Sequence, residues 1–313
     1  MNAMSASPKR IELPALFCSA DRAEHGLSRY QLTRSRGATR IHRGVYEDAG
    51  RTRVVIAPRW ADPTWIEVQQ RLAALQTVRP DAVGSHTTAA LLLGLPTPYR
   101  ADALLHVTVP FGTRPVRRPG VVGHASRHLD PRGHCGVRIN RGDLVIHELA
   151  GHLRIGDLIA VFDALLGTWQ DTPDLTAEEL RDLLTGRAHY RGRRAALEAL
   201  TRARAGVRSP GETRTRLAIV AAGLPEPEVA PAVRLPSLPT AIHPDMAYVG
   251  PRIAIEYEGP QHRLDESQWD RDIERYGALV RHGWIVIRTT RRTSAARFCR
   301  EIREALELRA VPV

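Results

Sequence analysis

Two acidic clusters late in the chain carry residue types and spacing suited to chemistry. His243-Pro244-Asp245 is followed, after a ten-residue gap, by Glu256-Tyr257-Glu258. The apolar run Ile253-Ala254-Ile255 leads directly into Glu256, where a carboxylate is costly to bury unless it is paired or holds a metal. Two acidic side chains at the ends of adjacent strands can share one divalent cation. Hard oxygen donors of this kind suit Mg2+, with Mn2+ as an alternative, activating water for attack on a phosphodiester. The spacing nominates Asp245 and Glu256 as metal ligands. The competing explanation is a pair of strand-end carboxylates bridged to arginine.

The elements that would position this pair can be read on either side of it. Ser209 can cap a helix, Pro210 suits its first position and Glu212 completes a capping box, so a helix is expected to Ala222, stopped by Gly223. Strands are expected around Val229–Leu235, Asp245–Val249 and Ile253–Tyr257, with Glu258-Gly259 as a turn. An amphipathic helix over about Glu266–His282 ends at Gly283, Trp284–Arg288 reads as a buried strand, and Ser294–Leu308 as a last helix. The order is α-β-β-β-α-β-α.

With those elements in place, the run Ser209-Pro210-Gly211-Glu212, Gly223-Leu224-Pro225, Pro244-Asp245, Glu256-Tyr257-Glu258-Gly259, His262, Asp272, Arg275 and Gly283-Trp284 resembles the PD-(D/E)XK-type domains related to very-short-patch-repair (Vsr) endonucleases. The resemblance covers about the last hundred residues and implies a restriction-endonuclease-like αβββαβ core. It further implies that Asp245 and Glu256 hold the metal, with a carbonyl near Tyr257 assisting, and that His262 is general base or water-orienting group. Glu212 would contribute from the first helix, and Asp272 and Arg275 would brace the site. Glu258, also counted with the catalytic group, stands where the motif's lysine would fall; Vsr-like enzymes lack that lysine too and use histidine. Relatives carry Asp before the glycine where this chain has Glu258. Glu212 also has a purely structural explanation as the capping-box residue.

The front of the chain reads differently. Leu13–Phe17 can start a short helix, Gly26-Leu27-Ser28 turns, and Ser28 with Gln31 forms a capping box opening a second helix through about Ser35. Thr39–Ile41 and Gly44–Tyr46 are β-type pieces around an Arg43-Gly44 turn. Helix, turn, helix, hairpin is the order of a winged helix-turn-helix. Arg29, Arg34 and Arg36 would lie on or just after the second helix, with Arg40 and Arg43 on the wing, as a reader of DNA requires. A solvated Arg-rich face is the plainer alternative. The segments Gly26-Leu27-Ser28-Arg29-Tyr30-Gln31-Leu32, Arg40-Ile41-His42-Arg43-Gly44-Val45-Tyr46, Ser85-His86-Thr87-Thr88-Ala89-Ala90, Leu93-Gly94-Leu95-Pro96 and His106-Val107-Thr108-Val109-Pro110 resemble the AbiEi-type antitoxins, regulators of type IV toxin–antitoxin systems. That resemblance spans residues 12–166 and implies winged-helix DNA binding, autoregulation and a cognate toxin or other protein partner, but no catalytic residue.

Proline clusters divide the chain into units 1–58, 59–166, 167–205 and 206–313. The middle unit has helical spacing at Thr64–Val78 and Thr87–Leu93, strands expected at Leu104–Val109, Gly120–His124 and Leu144–Ile146, and a helix at Ile155–Leu166. Two further amphipathic helices, Ala177–Leu184 and Arg193–Thr201, form a connector. The fold class expected is α/β overall, an α+β multidomain chain. His147-Glu148-Leu149-Ala150-Gly151-His152 mimics a zinc-protease motif, but its histidines are five apart and miss one helix face. His124, His128, His134 and Cys135 match no usual zinc spacing and read as scattered loop residues.

Bulk numbers agree with a soluble DNA-directed protein. Of 313 residues, 43% are hydrophobic and 25% charged. The longest apolar stretch, Ala89–Leu95, is too short for a membrane span. No signal segment is evident, Met1–Arg10 reads as a loose tail, and three scattered cysteines fit a reducing cytoplasm. The net charge is +11, yet residues 206–313 hold 16 Arg against 14 acidic residues. The basic excess therefore lies ahead of the expected catalytic unit, where a polyanion would be held. Lys9 is the only lysine; a GC-rich genome explains most of that bias. Three readings follow: a DNA endonuclease, a non-catalytic DNA-binding regulator, and an RNA-directed nuclease with the same site. The sequence carries no signature of oligomeric state.

Overall fold

The computed structural model describes residues 8–33, 37–98, 104–167, 175–259 and 266–309. The class is mixed α/β, with three sheets among the described residues. Two compact units divide the chain, residues 1–153 with 183–193, and residues 154–182 with 194–313.

The first unit opens with strand β1 (Lys9–Cys18), a 3-10 turn at Ser19–Ala23, helix α1 (Arg29–Thr33), and strands β2 (Ala38–His42) and β3 (Val45–Ala57). These strands form an antiparallel sheet in the order β1-β3-β2. The helix expected at Leu13–Phe17 is therefore part of a strand. The long pairing of β1 with β3 decides the difference; Pro14, which the first turn of a helix would also accept, sits here at a β-bulge on an edge strand, where a missing donor is tolerated. Leu13 and Phe17 are buried, and Phe17 packs with Leu32 and Ala38. The expected capping box is present: Gln31 N–H donates to Ser28 Oγ (3.3 Å) and Ser28 N–H to Gln31 Oε1 (2.8 Å). The Arg43-Gly44 turn joins β2 to β3, with Gly44 at φ +84.

The same unit continues with α2 (Pro63–Val78), β4 (Val83–Gly84), α3 (His86–Leu92), β5 (Leu105–Pro110), β6 (Val121–Ser126), β7 (Pro131–His134), β8 (Val137–Asn140) and α4 (Gly142–Ala150). The strands make a mixed sheet in the order β6-β5-β4-β8-β7. Asp62 caps α2 by accepting from Trp65 N–H at 2.8 Å, with Pro63 at the first position. The buried Trp65 indole donates to Leu92 O (3.1 Å), tying α2 to α3. The strand expected at Leu144–Ile146 lies inside α4. Its β-branched pair suggested a strand, but Val145, Ile146, Leu149 and Ala150 bury one helical face.

The second unit comprises α5 (Ile155–Leu165), α6 (Ala177–Thr185), α7 (Arg193–Arg202), α8 (Pro210–Ala221), β9 (Glu228–Val229), β10 (Met246–Tyr248), β11 (Ile253–Glu258), α9 (Glu266–Arg281), β12 (Ile285–Thr290) and α10 (Ala295–Leu308); the passages between the units fall within α6 and at the start of α7. From α8 onward this is the expected α-β-β-β-α-β-α order, except that the strand expected around Val229–Leu235 is cut to β9, with only an isolated bridge at Val233 beyond it, since Pro231 cannot donate to a ladder. The sheet runs β12-β11-β10-β9, parallel between β11 and β12 and otherwise antiparallel. Alternation along β11 explains its continuous apolar run. Ile253 and Ile255 pack with α8 and α10 through Ile219, Phe298 and Ile302, while Ala254 faces Ala278 and Leu279 of α9. Helix α5, which proline punctuation placed in the middle unit, packs on α8. Asp163 of α5 accepts from Thr213 Oγ1 (2.7 Å), Arg204 N–H (2.7 Å) and Arg216 Nη2 (3.1 Å), and Arg216 also reaches Glu226 at 2.7 Å.

Candidate functional site

The helix α8 begins where the sequence said it would. Ser209 Oγ accepts from Glu212 N–H (3.1 Å), and Glu212 Oε2 accepts from Arg208 N–H (2.8 Å), one residue before the cap. Glu212 is thus a capping residue. It is also buried, and burial, reinforced by the Asp245 carboxylate, pushes its carboxyl up to about 7. Two acidic groups from different elements therefore compete for ionisation at one end of the sheet. Gly211, beside Glu212, is fixed by packing, since a Cβ there would overlap the Tyr257 ring.

Asp245 precedes β10 and Glu256 lies on β11. The register Met246↔Ile255 leaves the two carboxylates one step beyond it, at corresponding ends of neighbouring strands. Asp245 Oδ2 accepts from Tyr257 N–H at 2.8 Å. Glu256 is 4% exposed, a burial that demands a positive partner. Arg275 supplies it from α9: its Nη2 is 3.0 Å from Glu256 Oε1 and donates to His243 O at 2.8 Å. Glu258 pairs with Arg288 of β12, whose guanidinium stands 4.9 Å from the Tyr276 ring centroid.

Asp245, Glu256, Glu212 and Arg275 are thus brought to one region of the second unit, and Glu258 is directed to Arg288. His262 and the side chain of Asp272 lie outside the described residues. Of the arginines nominated for DNA, Arg29 on α1, Arg40 on β2 and Arg43 in the hairpin turn are exposed. Arg34 and Arg36 lie outside the described residues. The chain matches no protein-family model and no curated protein. What these residues do must be argued from their chemistry.

Sequence reasoning missed two features. Nothing in the spacing of Asp163, Arg204, Thr213 and Arg216 announced their buried network. The second feature is a histidine cluster in the first unit. His86 begins α3, His106 lies on β5, His124 on β6 and His152 just after α4. Their separations of 20, 18 and 28 residues form no local motif. Set aside as a scattered loop residue, His124 instead sits in a strand, and its neighbours are His86 and His106 rather than His128, His134 or Cys135. Burial is the first cause of the lowered pKa at His86, to about 3, and at His106, to about 4; neighbouring imidazoles add to both. Beside them, burial raises Glu148 to about 7. His147 is directed elsewhere, to Leu183 O at 3.0 Å, consistent with rejecting a His147–His152 zinc-protease pair.

Proposed function

We propose that the protein is a DNA-directed, Mg2+-dependent endonuclease whose second unit hydrolyses phosphodiester bonds. The observation that carries this reading is the placement of Asp245 and Glu256 at corresponding ends of β10 and β11, with Glu212 buried nearby, its carboxyl raised first by burial and then by the Asp245 carboxylate. Unlike carboxylates gathered for stability alone, these gain from a shared cation. The donor set is all oxygen, which fits Mg2+ or Mn2+ rather than a softer ion. Asp245 and Glu256 would hold the metal, which when bound would polarise the phosphate and lower the pKa of its water. The chain's own groups would do the rest. Arg275 orients Glu256, Tyr257 N–H orients Asp245, and Glu212, held above its ordinary range by burial, would give up its proton more readily beside a bound cation.

For targeting, the expected helix-turn-helix is present only in part, since β1 replaces its first helix among the described residues; the short α1 followed by the β2–β3 hairpin supports the wing of a DNA-binding reading of residues 8–58. Exposed Arg29, Arg40 and Arg43 would supply phosphate contacts. A second reading, a non-catalytic DNA-binding regulator with a protein partner such as a cognate toxin, is favoured by one observation: Arg275 already neutralises Glu256. An RNA-directed nuclease would share the same carboxylates.

The deciding experiment offers supercoiled, linear, single-stranded and mismatched DNA, and RNA, to wild type and Asp245→Ala with Mg2+ or Mn2+. Cleavage abolished by the substitution and by chelator is the expected result, and the preferred substrate names the class. A folded wild type that binds DNA but cuts nothing with either metal supports the regulator instead.

A further inference from the structure

The histidine cluster belongs to the first unit and the carboxylates to the second. Its geometry is that of a ligand set. The metal-binding ring atoms of His86, His106 and His124 all lie within 4.8 Å of one another. His106 Nδ1 and His124 Nε2 are 3.1 Å apart. Two ligands of a tetrahedral zinc ion with bonds of about 2.1 Å stand roughly 3.4 Å apart, so this pair already has almost the required spacing. His86 stacks on His124 with ring centroids 4.1 Å apart. His152, exposed, approaches edge-on, 4.6 Å from His106 and 5.6 Å from His86.

Other histidines in the same unit show what a structural role looks like. His42 Nε2 meets Arg71 O at 3.1 Å, His134 Nε2 meets Leu92 O at 2.8 Å, and His147 Nε2 meets Leu183 O. Each lodges on a backbone carbonyl, the ordinary way to satisfy a buried imidazole. In the cluster, by contrast, His106 and His124 turn their nitrogens on each other, and the His86 ring nitrogen contacts Ser85 Oγ at 3.0 Å. Gathering three imidazoles on one another satisfies fewer nitrogens than three carbonyls would.

The elements hold the rings in place independently. Strands β5 and β6 are parallel with His106↔Val122 and Thr108↔His124 in register, so both histidines project from one face of the sheet. His86 is a non-glycine residue at φ 49, a strained conformation at the head of α3. Glu148 holds it there: Oε2 accepts from His86 N–H (2.9 Å), while Oε1 accepts from Asn140 Nδ2 (2.7 Å). The nearer Glu148 oxygen is 3.9 Å from the His86 ring, so a negative charge becomes available beside any cation held by the three rings.

We propose that His86, His106 and His124 form a binding site for one Zn2+-class divalent transition-metal ion, with Glu148 as the charge-balancing neighbour and the fourth position facing His152 and solvent. All-imidazole donors select Zn2+ and its neighbours over Mg2+. Three protein ligands with one open position is an arrangement that zinc uses when it also binds water or an external anion. Closing the site requires the His86 ring, now stacked on His124, to turn so that a ring nitrogen points toward the His106–His124 pair.

The test uses the full-length, untagged chain, stripped with chelator and titrated with Zn2+ against a chromogenic zinc chelator. Co2+ replaces Zn2+ in a parallel visible-absorption measurement. One Zn2+ per chain at micromolar or tighter affinity and a four-coordinate cobalt spectrum are expected. His124→Ala should weaken binding by more than tenfold, His152→Ala by less, and His134→Ala, outside the cluster, not at all. Glu256→Ala should leave the stoichiometry at one, separating this site from the carboxylates. Circular dichroism of each variant excludes misfolding. A folded wild type that takes up no Zn2+, or takes it up equally after His124→Ala, overturns the proposal.

Discussion

The carboxylates of the second unit and the histidines of the first are both buried titratable clusters, but they are satisfied in opposite ways. Glu256 ends on Arg275, Glu258 on Arg288, and Asp245 accepts the Tyr257 N–H. Asp163, deeper in the same unit, accepts from Thr213, Arg204 and Arg216. Among the described residues, the rings of His86, His106 and His124 meet no such cation or carbonyl; His106 and His124 meet each other. The carboxylates already hold protein partners, to which a bound cation would add. The imidazoles hold chiefly one another, so a bound cation would change their satisfaction more. This contrast ranks the effects of breaking each contact.

The largest loss is expected at Arg216. Arg216 is 1% exposed, and its guanidinium joins Asp163 to Glu226. Arg216→Ala strands a buried carboxylate and should cost about 3–5 kcal/mol, read as a fall in the denaturation midpoint. A loss below about 1 kcal/mol would show that the network contributes little. Arg275→Ala is more informative. It strands Glu256 in the same way but at a partly exposed pair, so the expected cost is about 2–3 kcal/mol. If Glu256 is a metal ligand, millimolar Mg2+ should restore stability to this variant more than to wild type. Equal effects of Mg2+ on both would mean that the ion pair is structural only.

How far the sequence disclosed these clusters depends on whether their contacts are local. The α8 cap, the α-β-β-β-α-β-α order and the Ser28–Gln31 capping box lie within a few residues and were all legible. So were Asp245 and Glu256 as strand-end neighbours. Pro14 misled because a bulge that tolerates proline requires knowing the partner strand. Val145-Ile146 misled because β-branched residues fit a helix whose apolar face is buried. The histidine cluster was illegible for a stronger reason. Its four members come from two helix ends and two strands, and only the pairing of β5 with β6 brings His106 beside His124. The guanidinium partners of Glu256 and Glu258 likewise come from α9 and β12, although Arg275 was nominated from its place in the motif.

An intermediate effect is expected from pH. Because burial raises the folded-state Glu212 carboxyl to about 7, above the ordinary 4.5, the folded state retains its proton more strongly than the unfolded chain. The associated stability is complete below about pH 4.5 and is lost as pH rises through 7. Glu212→Gln removes that loss, keeping a side chain that can still accept from Arg208 N–H. The variant should gain on wild type by roughly 2 kcal/mol between pH 5 and 8, measured by denaturant titration without metal. A constant difference across that range would mean that Glu212 is ionised throughout, and the crowding with Asp245 would lose its force.

The smallest expected effects test the other half of the contrast. In metal-free protein, His134→Ala removes an imidazole bonded to Leu92 O, a carbonyl that still accepts from the Trp65 indole, at a cost of about 1 kcal/mol. His152→Ala removes an exposed ring whose cluster contacts are edge-on ring contacts, and should change stability by less than about 0.5 kcal/mol. Saturating Zn2+ should reverse the order, because linkage adds stability in proportion to the affinity each variant retains. His134→Ala then gains as much as wild type, and His152→Ala gains less. If zinc stabilises neither variant nor wild type, the histidines are a self-contained packing cluster, and the two regions differ in composition but not in their need for a ligand.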